Sequence, residues 1–125
     1  MSSAEDEAKV REVHNQYFQA LGSGDMDAVA ENFTFPAAFK GFLEDVTIAE
    51  DKASLIATYE RLIAAAPKAA RSEIRGIDVG YLRTGVYMLT MSYEQYGADD
   101  ALIHEGRAVY FMKRVDDDYK LFAVF

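Results

Sequence analysis

The 125-residue chain is half hydrophobic, with 21 acidic and 13 basic residues and a formal net charge of -8. That composition excludes a disordered chain, and the length suffices for one domain with a core but not for two. The negative field, with no Lys/Arg-rich run to offset it, argues against nucleic acid and anionic membranes as partners, and the absence of cysteine excludes disulfides and thiol chemistry.

Residues 1–7 are acidic and small, which predicts a flexible N-terminal tail before a single domain at 8–125. MSSAEDEAK is neither a signal nor a transit peptide. No apolar run reaches the roughly 20 residues of a membrane span, so a cytoplasmic protein is expected.

From Ala8 the sequence reads as an amphipathic helix, with Val10, Val13, His14, Tyr17, Phe18 and Leu21 at three- and four-residue spacings. Gly22 and Gly24 end it, and Asp25 caps a short second helix running to Phe33. FTFPAAFKGF then supplies Phe33, Phe35, Phe39 and Phe42 around Pro36, which suits a short strand or loop at the mouth of the core. Residues 43–48 are a candidate edge strand. Asp51 caps a third helix whose apolar side is Leu55, Tyr59, Leu62, Ile63 and Ala66, and Pro67 ends it.

After Arg71 the period changes from helical to alternating. Residues 72–83, 86–96, 102–115 and 119–125 read as four strands in an antiparallel meander, with turns at Thr84-Gly85, 97–100 and 116–118. The fold class is α+β: three N-terminal helices packed on a curved, mainly antiparallel mixed sheet of about six strands. Both faces of the sheet are apolar. Tyr87, Leu89, Met91 and Tyr93 share one, and Val86 and Met88 lie on the other. Three helices cover one face only, which predicts a homodimer through the other.

YFQALGSGDMDAVAENF, the following FPA and the terminal EGRAVYFMKRVDDDYKLFAVF resemble the NTF2-like superfamily. This is the cone fold shared by nuclear transport factor 2, ketosteroid isomerase, scytalone dehydratase and the SnoaL-like cyclases. Tyr119 stands where an aromatic residue, often Trp, is usual. The resemblance implies a pocket inside the cone, between helices and sheet, and often a dimer through the sheet. It implies no single activity, because the fold hosts enzymes, binders and assembly modules.

Tyr17 is placed like the oxyanion-binding tyrosine of ketosteroid isomerases; it also reads as a core tyrosine. His14, one turn earlier, is a candidate base or a locally bonded histidine. Asp78 lies between Gly76 and Gly80 on an expected face with Ile74 and Leu82. It is a partly buried acid and a second candidate base, or else simply solvated. The isomerase's base aspartate has no counterpart in Thr34-Phe35-Pro36-Ala37, so ketosteroid isomerisation itself is not expected. Phe35 and Tyr59 are expected to line the pocket. Arg107 either binds a ligand carboxylate or pairs with Glu94 or a partner chain's glutamate, and His104 is expected at the surface. No metal-ligand spacing and no phosphate-cradling motif is present, so no cofactor or metal is expected. Three readings stay open: a binder of a small, largely apolar molecule; a cofactor-independent isomerase, dehydratase or cyclase with Tyr17 as donor and Asp78 or His14 as base; and a purely structural dimerisation module.

Overall fold

A computed structural model describes residues 2–125; Met1, the first residue of the expected tail, lies outside the described residues. The rest of that tail is ordered structure. Helix α1 spans Ala4–Ser23, and Ser3 caps it by accepting a hydrogen bond from the Asp6 N–H at 3.0 Å. Glu5, Asp6 and Glu7 in the first turn meet the positive end of the helix dipole. Arg114 on the sheet holds Asp6 at 2.9 Å. The acids that suggested a frayed end are therefore the start of the helix.

Gly24, at φ 77°, closes α1 by donating to the Ala20 and Leu21 carbonyls, a left-handed conformation that favours glycine. Asp25 then accepts from the Ala28 N–H at 3.1 Å and caps α2, Met26–Glu31. Strand β1, Phe33–Phe39, and the short β2, Thr47–Ala49, come before α3, Lys52–Ala65. Two strands thus separate the second and third helices. Helix α3 opens with a reciprocal cap between Asp51 and Ser54. The four long strands follow as β3 (Arg71–Arg83), β4 (Val86–Tyr96), β5 (Leu102–Val115) and β6 (Asp118–Val124).

The sheet has the order β2-β1-β6-β5-β4-β3. Strands β3 to β6 form the expected antiparallel meander, and β1 joins β6 in parallel, so the sheet is mixed. The helices lie on its inner face. Val10, Val13 and Tyr17 from α1, Val29 from α2, and Leu55 and Tyr59 from α3 pack against Tyr87, Leu89, Met91 and Tyr110 in one core. The outer face keeps apolar side chains half exposed, among them Met88, Phe111 and Phe122. No helix among the described residues is long and apolar enough to cross a membrane.

One irregularity decides which residues reach the inside. Pairing of β3 with β4 shifts between Ile74 and Gly76. Ile74 stands opposite Tyr93 on the inner face, whereas Gly76 stands opposite Ser92 on the outer one. An extra residue in one strand inverts the alternation beyond it.

Candidate functional site

A cavity of about 430 Å³ opens between α1, α3, the segment after β1 and the inner face of the sheet. Its walls are mostly apolar, with Phe18 and Leu21 from α1, Leu62 and Ile63 from α3, and Met91 and Ala108 from the sheet. Polar groups gather at two places.

At the closed end, the Tyr17 and Tyr59 hydroxyls meet at 2.8 Å. Tyr110 stands edge-on to Tyr17 with ring centroids 5.5 Å apart. Burial pushes all three phenols up from their ordinary pKa, so they stay neutral donors and acceptors. His14 sits behind this cluster, its ring edge-on to Tyr110 at 4.8 Å and stacked on Phe18. Burial lowers its pKa from 6.5 to about 4. Its Nε2 has no hydrogen-bond partner among the described residues, and the side chain borders a separate cleft of about 340 Å³ with Arg11, Asn15 and Gln19.

At the mouth, the Tyr93 hydroxyl and His104 Nε2 are 3.1 Å apart, and Phe42 stands edge-on to the His104 ring at 5.3 Å. The pair rests on Gly106, which faces Tyr93 across the strands. A Cβ at position 106 would lie 3.2 Å from both the Tyr93 oxygen and His104 Nε2, so the missing side chain makes room for this contact. Gln95 is the direct cross-strand neighbour of His104. Its Oε1 is buried without a partner among the described residues, and its Nε2 makes only a long 3.5 Å contact to Ser72 Oγ. Burial raises the pKa of Tyr93.

The expected site residues divide. Tyr17 and Tyr59 line the cavity. Phe35 does not; it packs against the core from β1 instead. Asp78 stands opposite Thr90 on the outer face and is exposed, so it cannot act as a base in this cavity. Its expected burial rested on Ile74, which the strand irregularity turns inward, and on Leu82, which is itself 46% exposed. Arg107 borders the cavity rim, but its neighbour Ser92 places its side chain on the outer face, where it is exposed. Glu94, its expected mate, pairs with Arg75 instead. His104 is not a simple surface residue: it and Gln95 line the mouth. The one local cue was Gly106, a glycine inside an alternating strand, but setting it across from Tyr93 requires the β4–β5 register. Among the described residues no three His, Asp or Glu side chains come together as metal ligands would.

No protein-family model matches the chain, and no curated protein matches its sequence. Solved structures do match its fold. An NTF2-like protein of unknown function from Pseudomonas putida superimposes with a TM-score of 0.75 at 14% identity, over 99% of this chain and 86% of that one. A cystatin-like-fold protein of unknown function from Nostoc punctiforme gives 0.74 at 13% identity, over 98% and 90% of the two chains. A ketosteroid isomerase-like protein from Erwinia carotovora atroseptica gives 0.71 at 12% identity, over 98% and 95%. At such identities the likeness establishes the NTF2-like fold and leaves the activity to the site.

Proposed function

We propose that this chain binds a small, largely apolar molecule in the cavity between its helices and the inner sheet face. The observation that carries the reading is an open cavity of about 430 Å³ with mostly apolar walls and few polar groups. That size and character suit a small-molecule site. Titration with the neutral fluorophore N-phenyl-1-naphthylamine tests it. Saturable fluorescence enhancement at one dye per chain is expected, and loss of that enhancement in Ala108→Trp, which fills the cavity from its sheet wall. Unsaturable enhancement, or enhancement that Ala108→Trp leaves unchanged, would refute the reading.

The proton-transfer alternative keeps Tyr17 but loses both of its expected bases. Asp78 lies on the outer face, and His14 borders a different cleft. The Tyr17 hydroxyl is also already engaged by Tyr59. General-base catalysis needs hydrogen-bond reach to the substrate proton, so binding is the better-supported reading.

Assembly is a separate proposal, and it is compatible with binding. Met88, Phe111 and Phe122 on the outer face are half exposed, with Ile48 at 52% and Phe125 at 42% exposure along the same side. A second copy of the chain placed there would bury a contiguous apolar surface. Sedimentation at micromolar concentration should give twice the monomer mass, and a species of one chain's mass alone would remove the proposal.

A further inference from the structure

We infer that the mouth of the cavity selects a neutral ligand carrying a hydroxyl group, docked between Tyr93 and Gln95 with its apolar body directed inward. The inference rests on the binding reading above and adds which chemistry the site prefers.

Two facts make the mouth a recognition point. The Tyr93 hydroxyl spends one of its hydrogen-bonding positions on His104 and keeps another. If His104 Nε2 carries its proton, it donates to the Tyr93 oxygen and the phenol proton remains for a ligand. In the other tautomer Tyr93 donates to His104, and its oxygen accepts from a ligand. Beside it, Gln95 holds a buried amide oxygen with no donor. A buried polar atom left in this way is costly, and a ligand that satisfies it gains the difference. Only the long contact to Ser72 holds the Gln95 amide, so turning it toward the cavity breaks no strong bond. Exchanging the amide oxygen and nitrogen leaves the nitrogen unpartnered instead, and a hydroxyl serves either end.

A hydroxyl is the group that fits all of this. With its single proton it accepts from the Tyr93 phenol and donates to the Gln95 oxygen in the first tautomer. In the second it donates to the Tyr93 oxygen and accepts from the Gln95 nitrogen of the exchanged amide. A bare carbonyl only accepts, so it answers one state of Tyr93 and one orientation of the Gln95 amide, where a hydroxyl answers both. A carboxylate has the same restriction, and it would also meet Glu73 bordering the cavity and a chain of net charge -8. Beyond the mouth, Met91, Ala108, Leu62 and Phe18 offer only apolar contact.

The experiment compares three probes of one shape, naphthalene, 2-naphthol and 2-naphthoate, by displacement of N-phenyl-1-naphthylamine at pH 7. The wild-type protein should bind 2-naphthol about tenfold more tightly than naphthalene, the gain from satisfying one buried polar atom. In Tyr93→Phe and in Gln95→Met the preference should fall to about twofold or less. Naphthalene should still bind both variants, which shows that they fold with the cavity intact. Equal binding of naphthol and naphthalene by the wild type overturns the inference and leaves the cavity reading standing. So does a preference that both variants retain. Tightest binding of 2-naphthoate would replace the hydroxyl with an anion. Loss of all three probes from the wild type overturns both readings.

Discussion

At the closed end of the cavity three tyrosines meet one another and a histidine; at the mouth one tyrosine meets a histidine over a glycine. The chemistry is alike, but the environments are opposite. Tyr17, Tyr59 and Tyr110 are no more than 4% exposed, and the Tyr17 and Tyr59 hydroxyls engage each other. Tyr93 and His104 are half buried, and beside them Gln95 carries an unpartnered oxygen. Where hydroxyls that face the cavity are matched internally, a cluster specifies the fold, and the unpartnered His14 Nε2 lies behind it, beside a separate cleft. Where polar groups are left over at an opening, the cluster is available to a ligand. Substitutions at the closed end should therefore change stability, and substitutions at the mouth should change recognition.

The largest effect expected is from Tyr17→Ala. The Tyr17 ring touches His14, Phe33, Tyr59 and Tyr110, and its removal opens a void at the base of the core. Urea unfolding should show a loss of about 3–5 kcal/mol. A loss below about 1 kcal/mol would mean that the closed end is not the structural half of the pair.

Acidification gives the next effect. His14 has a folded-state pKa of about 4 against an ordinary 6.5, because burial disfavours its charged form. Below pH 6.5 the unfolded chain takes up a proton that the folded chain refuses until about pH 4. Stability from this group is thus complete above 6.5 and is lost as pH falls toward 4, by on the order of 3 kcal/mol in all. The check is the difference in unfolding free energy between wild type and His14→Phe, which carries the carboxylate titrations in both terms. That difference should be flat at alkaline pH and should move against the wild type through the window. A difference independent of pH would place His14 in contact with solvent.

Tyr17→Phe is milder. It keeps the ring and removes only the hydroxyl that bonds Tyr59. The stranded Tyr59 phenol should cost about 1–3 kcal/mol, read by the same urea transition, with the hydroxyl preference at the mouth unaltered. If that preference changed as much as in Tyr93→Phe, the two ends would be one coupled site.

The same contrast explains what the sequence disclosed. The helices were legible because caps and periodicity are local: Asp25 and Asp51 mark two starts, and Gly24 marks an end. The cue at Ser3 followed by acids was equally local, but it was masked because only alanines, Ala4 and Ala8, stand between it and Val10 as apolar residues. The four long strands were legible from alternation. Their faces were not, because counting by twos through β3 fails at the irregularity beside Arg75, and Asp78 was thereby grouped with Ile74. Tyr17 and Tyr59 were legible as pocket-facing because they lie on helix stripes. The mouth was not. Tyr93, Gln95, His104 and Gly106 come together only through the β4–β5 register, which no single stretch of sequence encodes.

The smallest expected effect on stability, and the sharpest test of the division, is Gly106→Ala. Gly106 adopts no left-handed conformation, so alanine carries no backbone strain there. It also narrows the unfolded ensemble, a gain of about 0.4–1 kcal/mol. Against this, the new methyl would sit 3.2 Å from both the Tyr93 oxygen and His104 Nε2, closer than a carbon rests comfortably against either atom. Both neighbours are the free ends of side chains, so they yield by a few tenths of an ångström rather than shift the backbone. The two contributions nearly cancel, and the unfolding free energy should stay within about 1 kcal/mol of wild type. Recognition does not cancel, because the methyl parts the Tyr93–His104 pair and re-aims the phenol that receives the ligand hydroxyl. The preference for 2-naphthol over naphthalene should drop to about threefold or less, while naphthalene itself still binds. A stable Gly106→Ala protein that keeps the full preference would show that the glycine is only a packing convenience and that the pair above it does not read the ligand.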